Sequence, residues 1–102
     1  MNDITPKHPL LTDLQPEQFA QYLRDRGWWQ VPHPNQRVSV FQRGEVDDEG
    51  RSIEIAVPGS SEYWDAKIVL ALGVNLAAFV EERSPERILE DIWAARANSL
   101  SA

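Results

Sequence analysis

The segment Ala66–Arg83, AKIVLALGVNLAAFVEER, constrains the fold more than any other, because Ile68 to Val80 carry no charge and one polar side chain, Asn75. A surface helix keeps one polar face, whereas a helix that is apolar all round is buried on every side. The run therefore predicts a helix held between two layers. One layer is the chain's own sheet, and the other is its C-terminal helix or a partner chain. On a helical wheel, Ile68, Val69, Leu72, Leu76, Phe79 and Val80 fill a bulky arc suited to a sheet. Ala66, Leu70, Gly73 and Ala77 make a smaller stripe, suited to the close approach of another helix.

A length of 102 residues bounds the chain to one domain. With no cysteine there is no disulfide framework, thiolate zinc site or cysteine nucleophile. The longest apolar run, thirteen residues interrupted by Gly73 and Asn75, falls short of the roughly 20 that span a bilayer. The opening MNDITPKHPLL lacks a cationic head followed by an apolar stretch, which predicts a cytoplasmic protein without membrane attachment. The net charge of −6 is uneven: residues 1–43 hold five basic and four acidic side chains, and residues 44–102 five and twelve. That balance disfavours nucleic acid, whose binders neutralise phosphates with a basic stripe. The one candidate stripe is Arg24, Arg26, Arg37 and Arg43.

Residues 1–11, with Pro6 and Pro9, read as a flexible arm and residues 98–102 as a flexible tail, which leaves 12–97 as the folded unit. Thr12 and Gln15 have the spacing of a capping box ahead of a helix over Pro16–Arg26, which Gly27 ends. Trp28–Val31 reads as a short strand stopped by Pro32-His33-Pro34. Arg37–Arg43 and Arg51–Val57 alternate across the turn Gly44–Gly50, which predicts an antiparallel hairpin. Ser84-Pro85-Glu86 restarts a helix to about Ala97, with Ile88, Leu89, Ile92 and Trp93 on one face. The fold class is α+β in the order α-β-β-β-α-α: a three-stranded antiparallel sheet packed on a long buried helix, with a C-terminal amphipathic helix.

No constellation here performs chemistry, and no cofactor or metal site is expected. His8 and His33 stand apart and have no second ligand at metal spacing. The acidic run Glu45, Asp47, Asp48, Glu49, Gly50 begins like a calcium loop, but its twelfth position is Ala56, where a bidentate Glu is required. Asp65-x-Lys67 opens a helix and lacks a companion carboxylate, and Ser60 and Ser61 lack a paired His and Asp. The four tryptophans are the remaining anomaly. Trp28 and Trp29, adjacent on a strand, point to opposite faces, so one enters the core and the other meets solvent, a loop or a partner. Trp64 and Trp93 are expected in the core.

The helix ending YLRDRGW, followed by the hairpin Arg37–Val57, resembles HicA-type messenger-RNA interferases over about residues 17–80. That likeness implies a double-stranded-RNA-binding-domain fold and RNA contact through Arg24, Arg26, Arg37 and Arg43, with His33 beside them. The family's catalytic histidine has no counterpart in the matching run VSVFQRGEVDDEG, so the resemblance does not carry the nuclease activity with it. The chain is also similar to small bacterial domains with a YLRxxGW entry and a Ser-Pro-Glu helix, a likeness that implies no activity.

These residues together predict a non-enzymatic protein–protein interaction module: a small subunit, adaptor or immunity-type partner of a bacterial complex. Its partner is a second copy, bound through the last two helices, or a different chain. The expected contacts are Trp29, the stripe Leu70, Gly73 and Ala77, and Trp93. The alternatives are a HicA-like RNA-binding or RNA-cleaving protein that uses Arg24, Arg26, Arg37 and Arg43 with His33, and an acidic antitoxin or nucleic-acid mimic that offers Glu45, Asp47, Asp48, Glu49 and Glu54 to a basic partner.

Overall fold

The computed structural model describes residues 3–101, with side chains described as far as Arg96, and has the α-β-β-β-α-α order. Helix α1 (Pro16–Asp25) opens on a proline, whose missing N–H costs nothing in a first turn. Its cap is Gln15 rather than Thr12, and the Gln15 N–H donates to Gln18 Oε1 at 2.7 Å. Gly27, at φ 89°, makes the expected left-handed exit. The chain then enters the sheet, β1 (Trp29–Val31), β2 (Val38–Gln42) and β3 (Ile55–Pro58), ordered β1-β2-β3 and antiparallel throughout.

Strand β3 begins at Ile55, four residues later than its alternation predicts, because the hairpin loop carries its own bridge between Val46 and Ser52. Asp47 organises that loop: its Oδ1 accepts the N–H groups of Glu49 and Arg51, each at 2.9 Å. Those backbone donors, Arg51 first, hold its carboxyl below the usual carboxylate range. A carboxyl lowered on folding stabilises the loop above its unfolded pKa of about 3.9 and loses that contribution as pH falls through the lower folded value. We expect the Asp47 carboxyl to titrate below its peptide value in a carbon-detected NMR titration. Titration at the peptide value would remove this role.

Helix α2 (Ala66–Glu81) packs chiefly on β3, and α3 (Pro85–Ser101) packs on α2. The two are joined through Glu82 in the left-handed conformation, and Ser84 Oγ accepts the Arg87 N–H at the start of α3. The core contains Phe19 and Leu23 of α1, Trp28, Phe41, Ile55, Leu70, Ile88 and Leu89. Each such side chain contributes roughly 1.5–3 kcal/mol by leaving water.

Two expectations are corrected here. Helix α2 is not covered on all sides, and its two stripes are reversed. The small stripe Ala66, Leu70, Gly73 and Ala77 faces the core, while Ile68, Leu72 and Phe79 of the bulky arc lie open. A Cβ on Gly73 would stand 2.8 Å from Phe19 Cε2 and 3.1 Å from the Ala56 carbonyl oxygen. Small residues bring the helix axis down onto β3, and the large rings of Phe19 and Phe41 fill the space from other elements.

The second correction concerns residues 1–11, which from Asp3 onward pack on the body instead of standing off as an arm. Ile4 and Leu11 are buried. Asn75, the one polar residue of the apolar run, explains how: its amide donates to the Ile4 carbonyl at 3.0 Å and accepts the Ile4 N–H at 2.9 Å. Lys67 Nζ donates to the carbonyls of Leu11 and Thr12, and Trp93 Nε1 donates to the Leu10 carbonyl at 2.8 Å. At the other terminus α3 continues through Ser101, across most of the segment read as a tail. Ala102 and the side chains of residues 97–101 lie outside the described part.

Candidate interaction surface

Helical periodicity places Ile68, Leu72, Asn75 and Phe79 along one line of α2. With Asn75 engaged by Ile4, the open members are apolar: Ile68 is 44% exposed, Leu72 64% and Phe79 70%. Trp64, just ahead of the helix, is 84% exposed, which corrects its expected place in the core. Three large apolar side chains along three helical turns, with Trp64 ahead of them and Ile4 bonded onto Asn75 between Leu72 and Phe79, leave apolar surface in water, a feature that on soluble proteins marks an interaction site. Residues that crowd a core by sequence pattern alone are here presented to solvent.

The predicted contact residues separate. Leu70, Gly73 and Ala77 are sealed inside the chain's own core, so a partner reaches none of them without opening the fold. Trp93 is half-buried, with its indole N–H engaged by Leu10 and Arg96 stacked on its ring. Trp28 enters the core, while Trp29, 50% exposed on β1, leans over Gly44. It lies on the opposite sheet edge from β3.

The four arginines proposed for RNA each have a carboxylate. Arg24 meets Glu17 at 2.9 Å, Arg26 meets Glu81 at 3.4 Å, and Arg37 meets Asp65 at 4.0 Å while lying over Tyr63. Arg43 holds Glu45 at 2.7 Å and Glu81 at 3.5 Å. The acidic hairpin tip is likewise engaged with its own loop, since Arg51 pairs with Asp47 and Glu49, and Gln42 donates to Glu54. Both histidines use Nδ1 to accept a nearby backbone N–H, His8 from Leu10 and His33 from Asn35.

A polar centre that sequence spacing did not reveal lies under the C-terminal end of α2. The Glu81 side chain is 1% exposed. Its Oε1 accepts the Tyr22 hydroxyl at 2.6 Å, and its Oε2 accepts the Trp28 indole N–H at 3.0 Å. Arg26, Arg43 and Arg83 surround it at 3.4, 3.5 and 3.8 Å. Arg83 also donates to the Tyr22 oxygen at 2.7 Å and pairs with Asp91. Burial, and then the hydrogen bond to Glu81, hold the Tyr22 phenol well above its usual range. With every group partnered, the cluster ties α1, the start of β1, the hairpin and the α2–α3 corner together.

Open grooves also lie on the described surface. One, of about 300 Å³, runs between α1 and α3 past Gln18, Tyr22, Asp25 and Ile92. Another, of about 330 Å³, lies between the start of α1 and Pro58–Ser61, and neither histidine is on its wall. Among the described residues no helix is long and apolar enough to cross a membrane. The chain matches no protein-family model, curated protein or solved structure.

Proposed function

We propose that this chain is a non-enzymatic protein–protein interaction module whose contact face is the outer stripe of α2, led by Ile68, Leu72 and Phe79, with Trp64 at its end. One observation carries the reading: the most apolar helix of the chain leaves a line of large side chains in water. Exposing them costs free energy of roughly 25 cal/mol per Å² relative to a covered state, so a partner that covers them is held by the same term. Aromatic side chains such as Trp64 and Phe79 are also those most enriched at binding hot spots.

The test uses a photo-crosslinking phenylalanine analogue placed at Leu72 or Phe79 in the cell of origin, with Glu90, exposed on α3, as the control position. Discrete covalent adducts at Leu72 and Phe79, absent at Glu90, are the expected result. Equal labelling at all three, or none at Leu72 and Phe79, would end the proposal.

A further inference from the structure

Resting on the interaction face just described, we propose that Asn75 is the centre of a seat for one residue of an extended chain. Ile4 holds that seat from within the molecule, and a partner takes it over with an extended segment carrying its own branched aliphatic residue. The Asn75 amide donates to the Ile4 carbonyl at 3.0 Å and accepts the Ile4 N–H at 2.9 Å. A residue turns its N–H and C=O to the same side where the backbone is extended, and antiparallel strands exchange both bonds at such a residue. One side-chain amide, with its donor and its acceptor, here stands in for a neighbouring strand. These bonds read main chain, so they accept any residue that has an N–H, which excludes proline. The side chain adds selectivity, since Ile4 is buried with the core. Of the helical neighbours of Asn75, Ala71 and Ala78 are small and buried, while Leu72 and Phe79 stand open.

The internal occupant is lightly held. Asp3 and Thr5 to Lys7 are exposed, so Ile4 alone anchors this stretch ahead of Leu10 and Leu11, whose carbonyls meet Trp93 and Lys67. One buried side chain and two hydrogen bonds oppose the backbone entropy of the residues they fix, terms of similar size. The seat therefore opens locally while the chain from Leu10 onward stays docked.

The occupant also leaves the face incomplete. Ile4 lies at Asn75 and Leu11 at Lys67, so residues 4–11 run from the middle of α2 towards its N-terminal end. A segment seated in the same sense carries the residue two places before its anchor towards Phe79, because four helical residues, about 6 Å, match two extended ones, about 6.6 Å. In this sequence the residue two before Ile4 is polar, Asn2, and Phe79 is open. A partner segment with a large apolar residue there, one intervening residue, and then isoleucine or valine covers Phe79 and fills the seat together, which Ile4 does not.

The experiment is an NMR titration of the purified full chain, wild type and Ile4→Ala, with the acetylated and amidated peptide Leu-Asp-Ile-Thr-Ala up to about 5 mM. The control peptide has proline in place of isoleucine. The Asn75 side-chain amide and the Phe79 ring are expected to shift saturably, with Ile4→Ala binding at least about fivefold tighter than the wild type because its seat is open more of the time. The proline peptide should shift neither. In the wild type without peptide, the Ile4 N–H should exchange with solvent at least about 100-fold faster than that of Val74 in α2. No saturable shift in either protein, equal affinity for both, an equal response to the proline peptide, or equal exchange at Ile4 and Val74 overturns the proposal. So does an Ile4→Ala chain that fails to unfold cooperatively, since Ile4 would then be part of the core and not a replaceable occupant. Self-association of the wild type that the peptide dissolves would replace the separate partner with the Ile4 of a second copy. Adducts at Leu72 and Phe79 without peptide capture sink the seat and leave the interaction face standing. Peptide capture without adducts sinks the face and leaves the seat, and the absence of both sinks both.

Discussion

Replacing Gly73 with leucine is expected to unfold the chain rather than to disturb an assembly. Even the first carbon of the new side chain would sit 2.8 Å from Phe19 Cε2, 3.1 Å from the Ala56 carbonyl oxygen and 3.3 Å from Ile55 Cγ2. The first contact is with a ring that is itself fully buried, and the second is with sheet backbone. Neither has room to yield. Overpacking of this kind costs about 1–3 kcal/mol where the surroundings adjust, and more where they do not. We expect Gly73→Ala to lose about 2 kcal/mol, and Gly73→Leu to lose its cooperative transition in urea, monitored by tryptophan fluorescence. A Gly73→Leu protein that melts like the wild type would mean that α2 does not press this face onto β3, and the assignment of inner and outer stripes would fall with it.

Removal of the Glu81 carboxylate is the second large effect. Glu81→Ala leaves the Tyr22 hydroxyl and the Trp28 indole N–H without their acceptor, and brings Arg26, Arg43 and Arg83 together with no central anion. Taking one partner from a buried ion pair costs about 3–5 kcal/mol. The three arginines are partly exposed, and two keep a second carboxylate, Glu45 or Asp91, so the lower end applies. A loss of about 3 kcal/mol corresponds to a fall in Tm on the order of 15 °C for a domain of this size. Glu81→Gln keeps the shape and one oxygen acceptor and should recover part of that loss, with the remainder reporting the charge. If Glu81→Ala unfolds within about 0.5 kcal/mol of the wild type, the cluster is not a tie between elements.

The legibility of the fold follows the range of the interactions. Pro16, Gly27 and the Ser84-Pro85-Glu86 restart mark their helix ends because capping acts over three or four neighbouring residues. The hairpin was legible because alternation is a property of consecutive residues, although its boundary at Ile55 depended on the loop that Asp47 organises. The Glu81 cluster was not legible. Its members come from α1, the first turn after it, the hairpin and the α2–α3 corner, and no local spacing joins them. One signal was present: Glu81 lies at the C-terminal end of a helix, where a carboxylate opposes the dipole and calls for cations.

By itself the sequence determined that α2 is a helix, that it carries one bulky and one small stripe, and that α1, the hairpin and α3 surround it in α+β order. Those properties reside in local periodicity. Which stripe turns inward was decided only by the tertiary structure, because it depends on how near the helix can come to β3 and on which other elements bring large rings. Phe19 and Phe41 fill the space beside the sheet, so the small stripe with Gly73 is the one that fits there. Ile68, Leu72 and Phe79 are left facing outward, and the surface proposed for a partner follows from that single choice of face.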